Sequence, residues 1–347
     1  MSNEFDSKRR QHLLGEDYFK WLLTSLSDNV TYWSENIAPS GETENERKAA
    51  TLLYLSSYCY RRFLLMYTGG ADIGLLRLEL ETVVDAFEQY AKAKRLFEEA
   101  AEQPPLAFSV IGDYENVMQL IGCCYLMHRR DLLSRIVDMF DSAYRGQDTL
   151  YEDLLSYEFK GRVDVDSWFH DVPYRPLVFS FYRETKGECI TDINEYLEAW
   201  YPGMSNAPWH DGHLEAKKGG KGAYVGYWAI EAAAAAYLLK LDDSAFRDHV
   251  LYPKDLADFA RNFEAEEANT PVHRDSGPKT VRTGQICPET GVWKAQGNNV
   301  PGVMVRQGER MPEVFAPDRS GAYRSQPALW EFERKACATS RSSTHSQ

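Results

Sequence analysis

The chain has 347 residues, with 52 Asp and Glu against 39 Lys and Arg for a formal net charge of −13, and 44% of its residues are hydrophobic. That much apolar side chain excludes global disorder, and the negative balance argues against a nucleic-acid binder, which needs a basic face to displace phosphate counterions. At about 150 residues per domain the length fits two domains, or one large helical domain with an appendage.

The opening residues, Met1 to Asp6, carry no basic segment followed by an apolar one, so no secretory signal is expected. Leu13, Tyr18, Trp21, Leu22 and Leu26 recur at three- and four-residue steps and predict a first helix. A second is expected from about Glu44 to Tyr67, ended by Gly69-Gly70. Asp72 is placed to cap a third, which carries Ile73, Leu76, Leu80, Val83, Val84, Phe87, Tyr90 and Ala91 and stops before Pro104-Pro105. Shorter helices follow over 114–128, 131–144, 149–157, 172–185, 191–200 and 224–241, with Asp243 expected to cap another and Pro253 to start one over 254–263. No apolar run reaches the ~18 residues of a membrane span; the longest, Trp228 to Leu241, is interrupted by Glu231 and Lys240.

The character changes near Asn269. Seven acidic and eleven basic residues lie between Pro271 and Gln347, so this part is +4 and residues 1–270 carry −17. Gly and Pro punctuate it, and short segments such as 302–306 and 313–316 read as strands or hairpins. The predicted fold class is therefore all-α, an antiparallel helical array with a small β-rich or irregular C-terminal appendage. The expected regions are 1–105 (helical), 106–268 (helical), 269–336 (Gly/Pro-rich β appendage) and 337–347 (a Ser/Thr-rich disordered tail).

Several constellations could carry chemistry. His210, Asp211, His213 and Glu215 could hold zinc if they shared one helical turn, but Gly212 interrupts it and no second ligand cluster follows. The basic run 217–222 lacks the spacing of a phosphate loop and the hydroxyl that would hold magnesium. The six cysteines, Cys59, Cys123, Cys124, Cys189, Cys287 and Cys337, have no framework spacing and are expected to be reduced thiols of a cytoplasmic protein. Cys287-Pro288 lacks the nearby His a catalytic thiol needs. Ala229 to Ala236 is a small-residue run that suits a central packing helix, with Glu231 inside it requiring a buried donor.

Between Asp131 and Asp171 ten acidic residues stand against four basic ones, interleaved with aromatics. Acid with aromatic is what a surface needs to cap a basic partner, the carboxylates steering and the rings anchoring. The expected partner-binding residues are Asp148, Tyr151, Glu152, Asp153, Tyr157, Glu158, Asp164, Asp166, Trp168, Phe169 and Asp171.

Two stretches carry a family resemblance. The segment from His213 to Ala236, containing Gly226-Tyr-Trp-x-x-Glu231-x-Ala-Ala, and the segment from Tyr252-Pro-Lys-Asp255 to Arg261 resemble the C-terminal helical domain of PoNe-immunity (PoNi-type) proteins. The resemblance covers roughly residues 130–265, and the helices up to about residue 105 suit the companion domain of that family. Cys287-Pro, Gly291-x-Trp293, Gly308-Glu-x-Met-Pro312 and Trp330 are similar to tails of other type VI secretion-linked immunity proteins. The resemblance implies an immunity protein that binds a DNase-type polymorphic toxin, delivered by type VI secretion or a similar contact-dependent system, and occludes its basic active site. It implies no catalytic residue, metal or cofactor, and neither nucleic acid nor membrane as a partner; a homodimer is compatible with it. The competing expectations are a metal-dependent hydrolase built on His210 and His213, and a secretion adaptor.

Overall fold

A computed structural model describes residues 4–217, 222–269, 280–296, 302–317 and 323–335. They fall into two compact units, Met1–Asn269 and Thr270–Gln347. The expected tail over 337–347, Cys337 and the basic residues Lys218 and Lys221 lie outside the described residues.

The first unit is the expected helical array. Its helices are α1 (Glu4–Lys8), α2 (Glu16–Glu35), α3 (Glu44–Thr68), α4 (Ile73–Phe97), α5 (Ile111–Leu126), α6 (Leu133–Tyr144), α7 (Thr149–Ser156), α8 (Asp171–Ser180), α9 (Lys186–Gly203), α10 (Gly212–Lys217), α11 (Ile230–Leu238) and α12 (Lys254–Asn269). Local chemistry sets many of the ends. The Thr43 hydroxyl accepts from Glu46 N, Asp72 accepts from Leu75 N, and Thr185 forms a capping box with Glu188. α3 stops where Gly69 and the left-handed Gly70 turn the chain into α4.

α2, α3 and α4 pack as successive neighbours, α8 packs on α9, and α11 lies in the centre against α5, α9 and α12. Every residue of α11 is buried, and the Ala232–Ala236 run has no exposed surface. The small side chains permit a close approach: a Cβ on Gly122 of α5 would lie 3.1 Å from Ile230 Cγ2 and 3.3 Å from Ala234 Cβ. One continuous core spans residues expected in both helical regions, from Leu14 to Ala260.

Two expected elements are corrected. The helix expected over 224–241 begins only at Ile230, and residues 222–229 form no regular element. Gly226 is the physical cause: its φ is +121°, and a Cβ there would lie 2.1 Å from Thr68 Oγ1 and 2.5 Å from Trp228 Nε1. A largely buried segment outside a helix or sheet must find its backbone partners elsewhere. Gln11 Nε2 donates to Val250 O and to Tyr227 O, and Gln11 Oε1 accepts from Tyr227 N and the Tyr224 hydroxyl. Thr68 donates to Val225 O and accepts from Trp228 Nε1, while Gln119 Nε2 donates to Trp228 O at 2.6 Å. The helix expected after Asp243 is a series of turns, because that buried carboxylate collects Arg247, Arg261 and the Tyr252 hydroxyl instead.

The second unit holds the strands. β1 (Thr280–Arg282), β2 (Gly291–Ala295), β3 (Val303–Val305) and β6 (Leu329–Lys335) form an antiparallel sheet in the order β1-β6-β2-β3, while β4 (Val314–Pro317) pairs with β5 (Tyr323–Gln326). Its core is Val281, Cys287, Trp293, Ala295, Val305, Met311, Val314 and Trp330. The Trp330 indole donates to Pro312 O at 2.9 Å.

Gly226→Ala should therefore lower stability by about 2–4 kcal/mol, through positive-φ strain and overpacking against Thr68. Urea denaturation followed by circular dichroism checks this, and an unchanged midpoint would mean the segment is not locked as described.

Candidate functional site

The helical unit contains a buried carboxylate centre and an exposed acidic face. Glu231, at the first turn of α11, is fully buried. Its Oε1 accepts from the Tyr196 hydroxyl at 2.6 Å, the Trp200 indole at 3.2 Å and the Tyr174 hydroxyl at 3.3 Å, while Oε2 has no partner among the described residues. The donors are neutral groups from α8 and α9, so the expected buried donor is met by phenols and an indole and not by a cation. Burial pushes the Glu231 carboxyl up, against the pull of these donors.

A second carboxylate, Glu115 of α5, sits near enough for the Glu231 charge to bear on it. Its oxygens accept from Gln119 Nε2 and Trp209 Nε1, each at 2.8 Å. Burial first, and then the Glu231 charge, push it well above the ordinary glutamate range. Glu115 went unnoticed in the sequence because the pair joins helices more than a hundred residues apart. Two carboxyls held toward the neutral form, with each identified donor spoken for, suit a polar core better than acid–base chemistry.

The Trp209–Glu215 segment is likewise committed internally. His213 Nδ1 lies 2.9 Å from the Tyr227 hydroxyl, the His210 ring stacks on Tyr201 at 4.3 Å, and Tyr201 donates to Asp211 Oδ1 at 2.7 Å. Among the described residues no group of three or more His, Cys, Asp or Glu is arranged to hold a metal ion. Cys287 is buried in the β unit, its thiol donating to Glu289 O at 3.1 Å.

For the acidic stretch, the structure divides the expected residues. Asp148, Tyr151 and Glu152 are buried, which corrects their assignment to a contact surface. Asp148 caps α7 by accepting from Tyr151 N at 2.9 Å, and also takes the Tyr114 hydroxyl and Phe169 N, each at 3.0 Å. Glu152 receives Arg162 Nε at 2.7 Å and Gly146 N at 2.7 Å, and Arg162 also reaches Asp141 at 2.6 Å. The Tyr151 hydroxyl donates to Asp141 Oδ1 at 2.8 Å. These bonds staple the 157–170 loop over α7. An alternation of acid and aromatic looks the same in sequence whether it points outward or ties a loop down.

Asp153, Trp168 and Phe169 are half-buried. The Asp153 carboxyl is pushed up to about 6 by burial, although the Tyr182 hydroxyl donates to it at 2.9 Å. Phe169 packs edge-on against Phe108, and the Trp168 indole donates to Asp171 Oδ1 at 3.3 Å. Tyr157, Glu158, Asp164, Asp166 and Asp171 are exposed. Around them lie exposed apolar groups outside the expected set: Val163, Val172 at 63% exposure, Phe179, and Tyr182 at 53%. Tyr182 lies beyond the acidic stretch in sequence, and the turn after α8 returns it to Asp153.

Because the folded chain holds protons on Glu231 and Glu115 that the unfolded chain releases near pH ~4.3, stability should fall as pH rises from there through the raised values. Glu231→Gln should flatten that decline while keeping an acceptor for Tyr196. Glu231→Ala, which strands three buried donors, should cost about 3 kcal/mol or more. Thermal melts from pH 4 to 9 check both; an unaltered pH slope in Glu231→Gln would show the carboxyl to be ionised in the native state.

Comparisons with known proteins bear on this arrangement. The crystal structure of protein PA2201 from Pseudomonas aeruginosa matches with a TM-score of 0.58 at 21% identity, over 74% of this chain and 92% of that one, a likeness of fold. No match was found among curated proteins. Residues 146–256, which hold the stapled loop, Glu231 and the Gly226 segment, match the family model of PoNe immunity proteins (PoNi), C-terminal. The match makes residues 146–256 a domain similar to the C-terminal domain of the PoNi-type immunity proteins.

Proposed function

We propose that the chain neutralises a DNase-type toxin, delivered by type VI secretion or a similar contact-dependent system, by covering the basic active site of that toxin in the cytoplasm. It acts by binding and not by catalysis, with no cofactor. The observation that carries the reading is the exposed face where Glu158, Asp164, Asp166 and Asp171 are set among Tyr157, Val163, Val172, Phe179 and Tyr182. Nucleases present cations to phosphate, and an inhibitor that presents carboxylates with apolar anchors between them meets the same surface. Glu158 and Asp171 also face single arginines of this chain, Arg130 at 3.6 Å and Arg175 at 2.7 Å, exposed pairs that a partner can displace at little cost.

The face is rigid where it needs to be. The Glu152–Arg162–Asp141 staple and Thr149 N donating to Ser167 O at 2.8 Å hold the 157–170 loop in place, so little ordering entropy remains for binding. The fully exposed charges govern encounter, and the rings and aliphatic groups govern residence.

Reversing Glu158, Asp164 and Asp166 to Lys should slow association with the cognate toxin by roughly tenfold or more at low salt. Protection of toxin-expressing cells should weaken, with the melting temperature close to wild type. Glu152→Lys by contrast should destabilise the fold, since it places a cation against Arg162. If the triple variant associates and protects like wild type, the acidic face is only a solvated surface. Light scattering on the free protein tells whether a homodimer precedes the complex.

A further inference from the structure

Away from the acidic face, α3, α5 and the 222–229 segment enclose a cleft of about 360 Å³, within the size range of small-molecule sites. Tyr60, Phe87, Trp209 and Trp228 supply aromatic surface to its lining, and Arg61, Asn116 and Ser57 supply polar groups. The feature that sets it apart is Arg61, which makes no hydrogen bond or ion pair among the described residues. The ionisable groups that bear on it are the phenols of Tyr18 and Tyr58. Arg61 is half-buried, and a guanidinium cannot shed its proton to escape partial desolvation, so one without a partner costs free energy that a bound anion would recover.

The two acids of the lining leave room for such an anion. Glu115 is occupied by Gln119 and Trp209, and Asp113 accepts from Ala107 N at 2.9 Å. Burial pushes both carboxyls toward the neutral form, which lessens their repulsion of an incoming carboxylate. The Gln119 amide and Tyr60 hydroxyl are engaged with each other at 2.7 Å. Asn116 and Ser57 make no hydrogen bond through their side chains among the described residues, and they are free to complete the shell.

The geometry points to a binding site for a small aromatic carboxylate, its carboxyl group paired with Arg61 and its ring against the aromatic wall of the cleft. A carboxylate fits the fork of a guanidinium by two parallel charge-assisted bonds, which a neutral amide of the same shape cannot make. This site is separate from the toxin-facing surface and does not rest on the reading of it.

The test is calorimetric titration of the full chain with 1-naphthoate, 1-naphthamide and 1-naphthylmethylammonium, three probes of one ring and different charge. Naphthoate should bind about tenfold or more tightly than the amide, the ammonium should not bind, and Arg61→Gln should remove the preference for the carboxylate. Should that variant fold poorly, the three-probe order on the wild-type protein decides by itself. Equal binding of all three would reduce the cleft to an apolar gap, and an absence of naphthoate binding at millimolar concentration would overturn the assignment.

Discussion

A largely buried, non-helical segment inside a helical unit is the constraint on which the rest of this structure depends. Residues 222–229 cannot satisfy their own backbone groups, so side chains from elsewhere do it: Gln11 ahead of α2, Thr68 at the end of α3 and Gln119 in α5. Each of those bonds joins segments 100 residues or more apart in sequence, and together they tie the beginning of the unit to its centre. The segment then delivers Trp228 beside Tyr67 and feeds directly into α11, where Glu231 gathers donors from α8 and α9. A side chain at position 226 would push Thr68 and Trp228 apart and loosen all of these together.

Seen this way, the Gly226-Tyr-Trp-x-x-Glu231 pattern is a set of instructions for the interior. Gly226 makes room for Thr68, Tyr227 is held by Gln11, Trp228 bonds Thr68 and Gln119, and Glu231 closes the polar centre. None of the four is exposed. The tail residues noted in the sequence follow the same logic, since Cys287, Trp293, Met311 and Trp330 are the core of the β unit.

Periodicity made most of the helices legible because amphipathic faces repeat on the scale of a turn, and α3, α4 and α7 begin within a residue or two of where spacing and caps put them. The change of composition near Asn269 likewise marked where helix gives way to strand. The failures are of one physical type. The 222–229 segment is apolar and aromatic like a buried helix, and its non-helical form follows from partners far away in the chain. Asp148, Tyr151 and Glu152 share the acid-and-aromatic texture of a contact surface, yet Arg162 and Tyr114 draw them inward. Glu115 and Glu231 meet through tertiary packing alone, so no local spacing announces them.

What remains outward after those internal debts are settled is the face of Tyr157, Glu158, Asp164, Asp166, Asp171 and Tyr182, and the account stands on its being the surface that covers the toxin. Hydrogen–deuterium exchange of the free chain and of its complex with the cognate toxin measures this directly. The account predicts slowed exchange across residues 157–172 and 179–183, with the 222–229 segment unchanged. Protection confined to α3 and α4 or to the β unit, with 157–172 exchanging as in the free chain, would contradict it.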